Sequence, residues 1–252
     1  MPDTARRSSR TPAKRAAPAR AAEPQLDHVS RAYRELRRII VGGQLPPGAR
    51  VSERTIADRL TLSRTPVRSA LHRLEQEGFV KAVGTGRERR LLVAPLTVDD
   101  GVEVFTIVGH LEGLAARTAA ELPTPRRKSL AARMRGVNAE LAQQATKKGN
   151  ANRFFDLDLE FHSLYVEGVV GPRVLTLHHA IKPQSERYIR LYVNVLLDQI
   201  ATSVREHEKI TAAIARGDSD GAQHAVENNW RNAAERLAEI ITQLGERGIW
   251  NV

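Results

Sequence analysis

Residues 63–78 read SRTPVRSALHRLEQEG, and this stretch constrains the fold more than any other. Val67, Leu71 and Leu74 recur at the spacing of one helix face, so that side needs a protein core. Arg64, Arg68 and Arg73, with Ser63 and Thr65, put cations and hydroxyls beside it. A helix of this kind has to bury one side and set the other against an anion. The flanking punctuation narrows the choice of fold. In VSRAYRELRRIIVGGQLPPG, Ala32, Leu36, Ile39 and Ile40 mark a preceding helix, and Gly42-Gly43 followed by Pro46-Pro47-Gly48 stops it. Ser52 suits the cap of a second helix, whose inward residues are Ile56, Ala57 and Leu60. A break at Thr61 and Leu62 leads to Ser63, again a capping residue, with Pro66 tolerated in the first turn of a third helix that runs to about Gln76. Two apolar runs in FVKAVGTGRERRLLVAPL then flank a turn rich in Gly and Arg, the pattern of a two-stranded wing. Residues 28–95 thus read as a winged helix-turn-helix.

Composition favours an anion such as nucleic acid or an anionic membrane without choosing between them. Lys and Arg outnumber Asp and Glu by 39 to 29, a formal charge of +10, which favours a polyanionic partner. There is no cysteine, which excludes disulfides, thiolate metal sites and cysteine nucleophiles and fits a reducing, cytoplasmic setting. No apolar run is long enough to span a membrane, so no membrane partner is expected. Residues 1–27, rich in Ala, Pro, Ser and Arg, offer little to bury and read as a disordered basic tail. Arg64, Thr65 and Arg68 occupy the first turn and a half of the third helix, where side chains can reach base edges in a major groove. The guanidinium fork matches guanine O6 and N7 together, whereas Ser63 and the exposed amides at the helix start suit phosphate. This placement suits duplex DNA as the anion.

The run GGQLPPGARVSERTIADRLTLSRTPVRSALHRLEQEGFV resembles the N-terminal domain of GntR-type transcription regulators. Their recurring pattern is G-x-L-x-P-G, then L-x-E, then S-R-T-P-V-R-x-A-L-x-x-L-x-x-E-G. The resemblance adds Arg54 on the second helix as a DNA contact and Gly84, Gly86 and Arg87 in the wing. The wing departs from the pattern, because Gly84-Thr85-Gly86 is followed by Arg87-Glu88-Arg89-Arg90 rather than by a β-branched strand.

From residue 96 to 252 the sequence predicts six or so helices and no strand, with breaks at Pro123 and Pro125, Gly149, Gly171-Pro172, Gly217 and Gly245. The fold class is mainly α, a winged helix followed by an all-α bundle. Polar residues on apolar faces carry the functional information. In RFFDLDLEFHSLYVEGVV, Asp158 and His162 are four apart and share a helix face. His207 continues the inward series Ile200, Val204, Ile210 and Ile214, and Asn229 continues Ala222, Val226, Ala233, Leu237 and Ile240. Burying an acid, two imidazoles and an amide is costly unless they satisfy one another or hold an ion. Asp158, His162, His207 and Asn229 suit a divalent first-row metal such as zinc, an ion-free effector pocket, or a hydrogen-bonded cluster that fixes the bundle. Ser185, Tyr188 and Tyr192 share one face of a later helix and line either an effector pocket or a core.

This half resembles the FCD domain of the FadR-like branch of GntR regulators. The shared signature is D-x-x-x-H at Asp158 and His162, an E-H at Glu206 and His207 before Ala213-Ile214-Ala215-Arg216-Gly217-Asp218, and a position seven residues after Ala222. That last position is Asn229 where many members have histidine. Val108 likewise stands where many members have an arginine, four residues before the glutamate that matches Glu112. The resemblance implies a ligand-responsive regulator, a repressor acting as a homodimer on an inverted-repeat operator and released by a small-molecule effector such as an organic acid. An architectural DNA-binding protein whose helices only dimerise is the alternative. An enzyme is not expected, since no general base accompanies the candidate metal site.

Overall fold

The computed structural model describes residues 27–146, 150–196 and 199–249, without the side chains of residues 87, 145–146 and 193–196. The expected basic tail lies outside the described residues but for Asp27, whose carboxylate accepts from the Ser30 amide at 2.7 Å and caps α1 (His28–Val41). Helix α1 buries Ala32, Tyr33, Leu36, Ile39 and Ile40. Strand β1 (Arg50–Val51) leads to α2 (Glu53–Leu60), whose N-cap Ser52 accepts from the Thr55 amide at 3.4 Å. Thr61, with φ of 54°, turns the chain sharply into α3 (Arg64–Gln76). Pro66, Val67, Ala70, Leu71 and Leu74 bury one face of α3 against α1. Ser63 occupies the N-cap position of α3, but its hydroxyl makes no capping bond.

Strands β2 (Val80–Val83) and β3 (Arg90–Val93) form the wing, pairing antiparallel from Val80 opposite Val93 to Val83 opposite Arg90. The sheet has three strands rather than two, because β1 pairs with the other edge of β3, in the order β1-β3-β2. A two-residue strand is too short to show alternation in sequence. At the wing tip Gly84 adopts φ of +80°, and a Cβ there would stand 2.8 Å from the Glu88 carbonyl oxygen, so glycine is required on both counts.

A second hydrophobic core, separate from that of the winged helix, lies among α4 (Val98–Ala120), α5 (Thr124–Thr146), α6 (Ala151–Val166), α7 (Pro172–Leu196), α8 (Ile200–Arg216) and α9 (Ser219–Leu244). Among the described residues these helices carry no strand, only a single bridge between Leu96 and Arg247. Helix α4 is central and packs most extensively on α9. Its glycines permit this approach: a Cβ on Gly109 would stand 2.8 Å from the Cβ of Trp230.

Helix α7 joins the two bodies, and a proline shapes the joint. Pro183 lies inside α7 rather than ending it. Proline has no N–H, so the carbonyl of His179, four residues earlier, loses its intrahelical donor. Arg37 of α1 donates to that carbonyl instead. Further along α7, Gln184 donates to the Glu77 carbonyl at the end of α3 (2.7 Å), and Arg187 donates to the Ala94 carbonyl just after β3 (2.6 Å) and to Gln184 Oε1 (2.9 Å). Burial pushes the Arg187 guanidinium down to about 10. Gly109→Ala is expected to force α4 and Trp230 apart and to destabilise the chain by about 1–3 kcal/mol. Thermal or denaturant unfolding measures this, and an unchanged midpoint would show that the two helices separate without penalty.

Candidate functional site

The exposed face of α3 carries the first candidate site. Ser63, Arg64, Thr65 and Arg68 are all exposed while Pro66 and Val67 are buried, so the amphipathic pattern holds residue by residue. Both arginines turn toward Glu53, the first residue of α2. Arg68 grips its two carboxylate oxygens from Nε and Nη2 at 2.9 Å each, and Arg64 Nη2 lies at 3.5 Å. Arg73 is different, since it lies 3.8 Å over the Tyr33 ring and donates to Glu77 at 2.9 Å. It ties α3 to α1 while staying exposed. Arg54 is highly exposed, 4.0 Å from Asp58. Gly84 and Gly86 form the exposed wing tip; the Arg87 side chain lies outside the described residues. Arg89 is drawn back onto Glu75 at 3.0 Å.

The second site lies inside the bundle. Asp158 and His162 project from α6 and His207 from α8, and one ligand atom from each falls within 4.8 Å of the others. His207 Nδ1 meets the side-chain oxygen Oδ1 of Asn138 at 3.1 Å, and that side chain is oriented by donating from Nδ2 to Val204 O at 3.0 Å. These partners place the His207 proton on Nδ1, leaving Nε2 as a lone pair. That nitrogen is buried without a hydrogen-bond partner, 3.6 Å from Asp158 Oδ1. Burial, with His162 nearby, holds His207 well below the usual imidazole range, hence neutral. Burial raises Asp158 against the opposing pull of His162 and Lys182. An orphaned imidazole nitrogen, a second imidazole and a carboxylate converging at this range fit a first-row divalent ion.

Asn229, the expected fourth member, lines the same small cavity of about 50 Å³ as Asp158 and His162. Its Nδ2 donates to Glu206 at 2.9 Å, which leaves the amide oxygen as its free donor atom. The same Glu206 receives both arms of Arg236, at 3.1 and 3.2 Å, and Arg236 also lines the cavity. Arg236 thus brings a guanidinium paired with Glu206 to the cavity wall. Phe105, Phe154, Ile189 and Leu237 make the apolar part of the wall.

Ser185, Tyr188 and Tyr192 do not line this cavity. The Ser185 hydroxyl donates to Lys182 O, Tyr188 donates to Asp100 at 2.6 Å, and Tyr192 donates to Gly245 O at 3.3 Å. Their spacing marked a real face, but that face packs the start of α4 and the end of α9.

The sequence marked Glu112 only as a position shared with the family, yet this is the group that holds the site together. Glu112 of α4 is fully buried, and five donors converge on it. His162 Nδ1 (2.7 Å), Tyr165 OH (3.1 Å) and Trp230 Nε1 (2.8 Å) share Oε2, while His178 Nε2 (2.9 Å) and Lys182 Nζ (2.8 Å) share Oε1. Burial alone would raise this carboxyl, but the Lys182 ammonium and His162 more than reverse it and hold Glu112 well below the usual carboxylate range. With Nδ1 engaged, His162 keeps Nε2 for a ligand.

Residues 28–87 match the family described as bacterial regulatory proteins, gntR family, and residues 103–232 match the FCD domain. Among curated relatives, the chain is 30% identical over 191 residues to a probable D-xylose utilization operon transcriptional repressor of Paenarthrobacter nicotinovorans, covering 74% of this chain and 78% of that protein. It is 25% identical over 211 residues to the gluconate operon transcriptional repressor of Bacillus subtilis, covering 82% and 83%. Among solved structures, E. coli McbR/YncC superposes with a TM-score of 0.63 at 20% identity, covering 86% of this chain and 99% of that one. Glu112→Gln keeps the shape but removes the charge that pairs with Lys182, and is expected to destabilise the fold by about 3–5 kcal/mol, as for a broken buried ion pair. Urea unfolding checks it, and a change below about 1 kcal/mol would mean that the pair contributes little.

Proposed function

Because the chain belongs to the GntR family of regulators and its second half is an FCD domain, we propose that it is a repressor that binds an inverted-repeat operator as a homodimer and releases it when a small organic acid enters the helical domain. That it is a DNA-binding transcription regulator, and not an enzyme, follows from the family. The further details rest on one observation above all. The His207 Nε2, neutral and without a hydrogen-bond partner, converges with Asp158 and His162, and those two line a cavity whose wall is partly apolar and also carries Arg236, Gln199, Ser203 and Asn229.

A divalent metal such as zinc would be held by Asp158, His162, His207 and the Asn229 oxygen, and when bound would give a carboxylate a Lewis-acidic seat. Arg236, oriented by Glu206, draws the same carboxylate electrostatically, and the aromatic and aliphatic wall receives its apolar remainder. The route to DNA is continuous in contacts. His162 is bonded to Glu112, Glu112 to His178 and Lys182 of α7, and α7 to the end of α3 and to Ala94 through Gln184 and Arg187. An effector acts through this route only to the extent that it binds one domain arrangement better than the other. In a dimer, two α3 helices set about 34 Å apart would read half-sites one helical turn apart.

Arg64→Ala and Arg68→Ala are expected to lower affinity for a selected operator by roughly ten- to a hundredfold while non-specific binding changes little. Gel shifts on operator and scrambled DNA decide this, since equal loss on both would reduce the pair to phosphate contacts. His207→Ala is expected to remove the metal while leaving operator affinity intact. Elemental mass spectrometry of wild type and variant reads this directly, and equal metal content in the two would remove His207 from the ligand set.

A further inference from the structure

Among the described residues, three buried side-chain polar atoms lack a hydrogen-bond partner: His207 Nε2, His178 Nδ1 and Arg37 Nε. The first marks the cluster in the bundle. The other two belong to residues that line one different cavity, of about 320 Å³, between α1 of the winged helix and α6 and α7 of the bundle. This cavity shares only His162 with the one beside Asp158. Lys182 and Ser163 also line it. An adjoining cleft of about 580 Å³ shares Arg37, Pro183 and Glu186 with it and adds Arg34, Arg38 and Arg190.

The charges in this cleft are poorly balanced by protein. Of the four arginines, Arg38 alone pairs with a carboxylate among the described residues, Glu35; Arg190 lies 3.9 Å over the Phe155 ring, and Arg37 donates to a backbone carbonyl. Glu112 is already saturated by its five donors, and Glu167 lies 3.8 Å from His179. Glu186 is the remaining acid on the wall. Arg37 Nε is a donor in need of an acceptor. Lys182 makes one bond to Glu112 and has two further N–H donors. His178 donates from Nε2 to an ionised carboxylate, so its buried Nδ1 is an acceptor in need of an O–H when the ring is neutral.

We propose that this interdomain cavity binds a small phosphate-bearing anion, held by Arg37 from the winged helix and by Lys182 and His178 from α7. Phosphate offers what these groups require: several acceptor oxygens and, in its hydrogen phosphate form, a hydroxyl for His178. The ligand would bridge the two domains at the point where Pro183 has freed the His179 carbonyl for Arg37, and so favour one relative orientation. Operator affinity and anion affinity then change each other by the same factor. This reading is independent of the metal and of the organic-acid effector.

The test is calorimetric titration of the full chain with inorganic phosphate, with glycerol phosphate and with sulfate, at fixed ionic strength and with EDTA present throughout. Phosphate or its monoester is expected to bind more tightly than sulfate, and Arg37→Gln to weaken binding by about tenfold or more. A tighter monoester identifies an organic phosphate as the source, and equal affinity identifies free phosphate; either supports the site. Ser163→Leu, which fills the cavity from α6 without altering Arg37, should block binding as well and serves if Arg37→Gln does not fold. No heat with any anion would overturn the proposal. Equal binding of sulfate with no effect of Arg37→Gln would also sink it, since that is general attraction to a basic surface. Binding that appears only in a parallel titration without EDTA would place the anion on a metal instead and reject the interdomain site.

Discussion

A carboxylate with no access to water governs the helical domain. Stripping Glu112 of its hydration is affordable only because five donors replace it, and those donors come from three other helices: His162 and Tyr165 from α6, His178 and Lys182 from α7, and Trp230 from α9. Apolar packing tolerates sliding, whereas an ion pair in a low-dielectric interior does not. The bundle is therefore pinned at one point on four helices. Gly109, one turn before Glu112, completes the arrangement by letting Trp230 come close enough to donate. The same carboxylate fixes the His162 ring by engaging Nδ1, so a demand made on Nε2 is felt by Glu112 and then by α7.

Helix α7 is one element through which such a change can pass. It carries two of the five donors in one turn, and within the next turns it holds the winged helix through Gln184 and Arg187. Pro183 lies between these two sets of contacts. Its missing N–H weakens the helix where the domains meet and turns a carbonyl that would be satisfied internally into an acceptor for Arg37. Arg187 reinforces this joint at a cost, because its guanidinium is buried against carbonyls rather than a carboxylate, and its lowered affinity for the proton reports that desolvation.

Local patterns carried much of this architecture into view. Three short helices with capping residues and a glycine-rich wing were legible because caps, turns and period are properties of neighbouring residues. Asp158 and His162 were legible as a pair for the same reason, and His207 because it interrupts an apolar series. Glu112 was not, since its partners lie 50, 53, 66, 70 and 118 residues away and no local spacing joins them. The tyrosines of α7 failed in the opposite way. Tyr188 and Tyr192 share a face as expected, but period alone does not say whether a face meets a cavity or another helix. The edge strand β1 escaped because two residues have no period.

Glu53 shows how the surface proposed to read DNA can be both held and available. Its carboxylate takes Arg68 in a bidentate pair and keeps Arg64 within 3.5 Å, so both guanidiniums are positioned on the same side of α3 before DNA arrives. Exposed pairs of this kind contribute little net stability and are screened by salt. Exchanging Glu53 for a guanine edge or a phosphate is therefore a small loss against a charge-assisted bond of similar geometry. Arg73 has no such freedom, because its guanidinium is stacked on Tyr33 and bonded to Glu77, which also accepts from Tyr33 at 2.5 Å. Of three arginines that look alike in sequence, two are held by an acid of α2 and one is stacked on an aromatic ring of α1, although all three remain exposed, and the difference lies in what α1 and α2 place beside them.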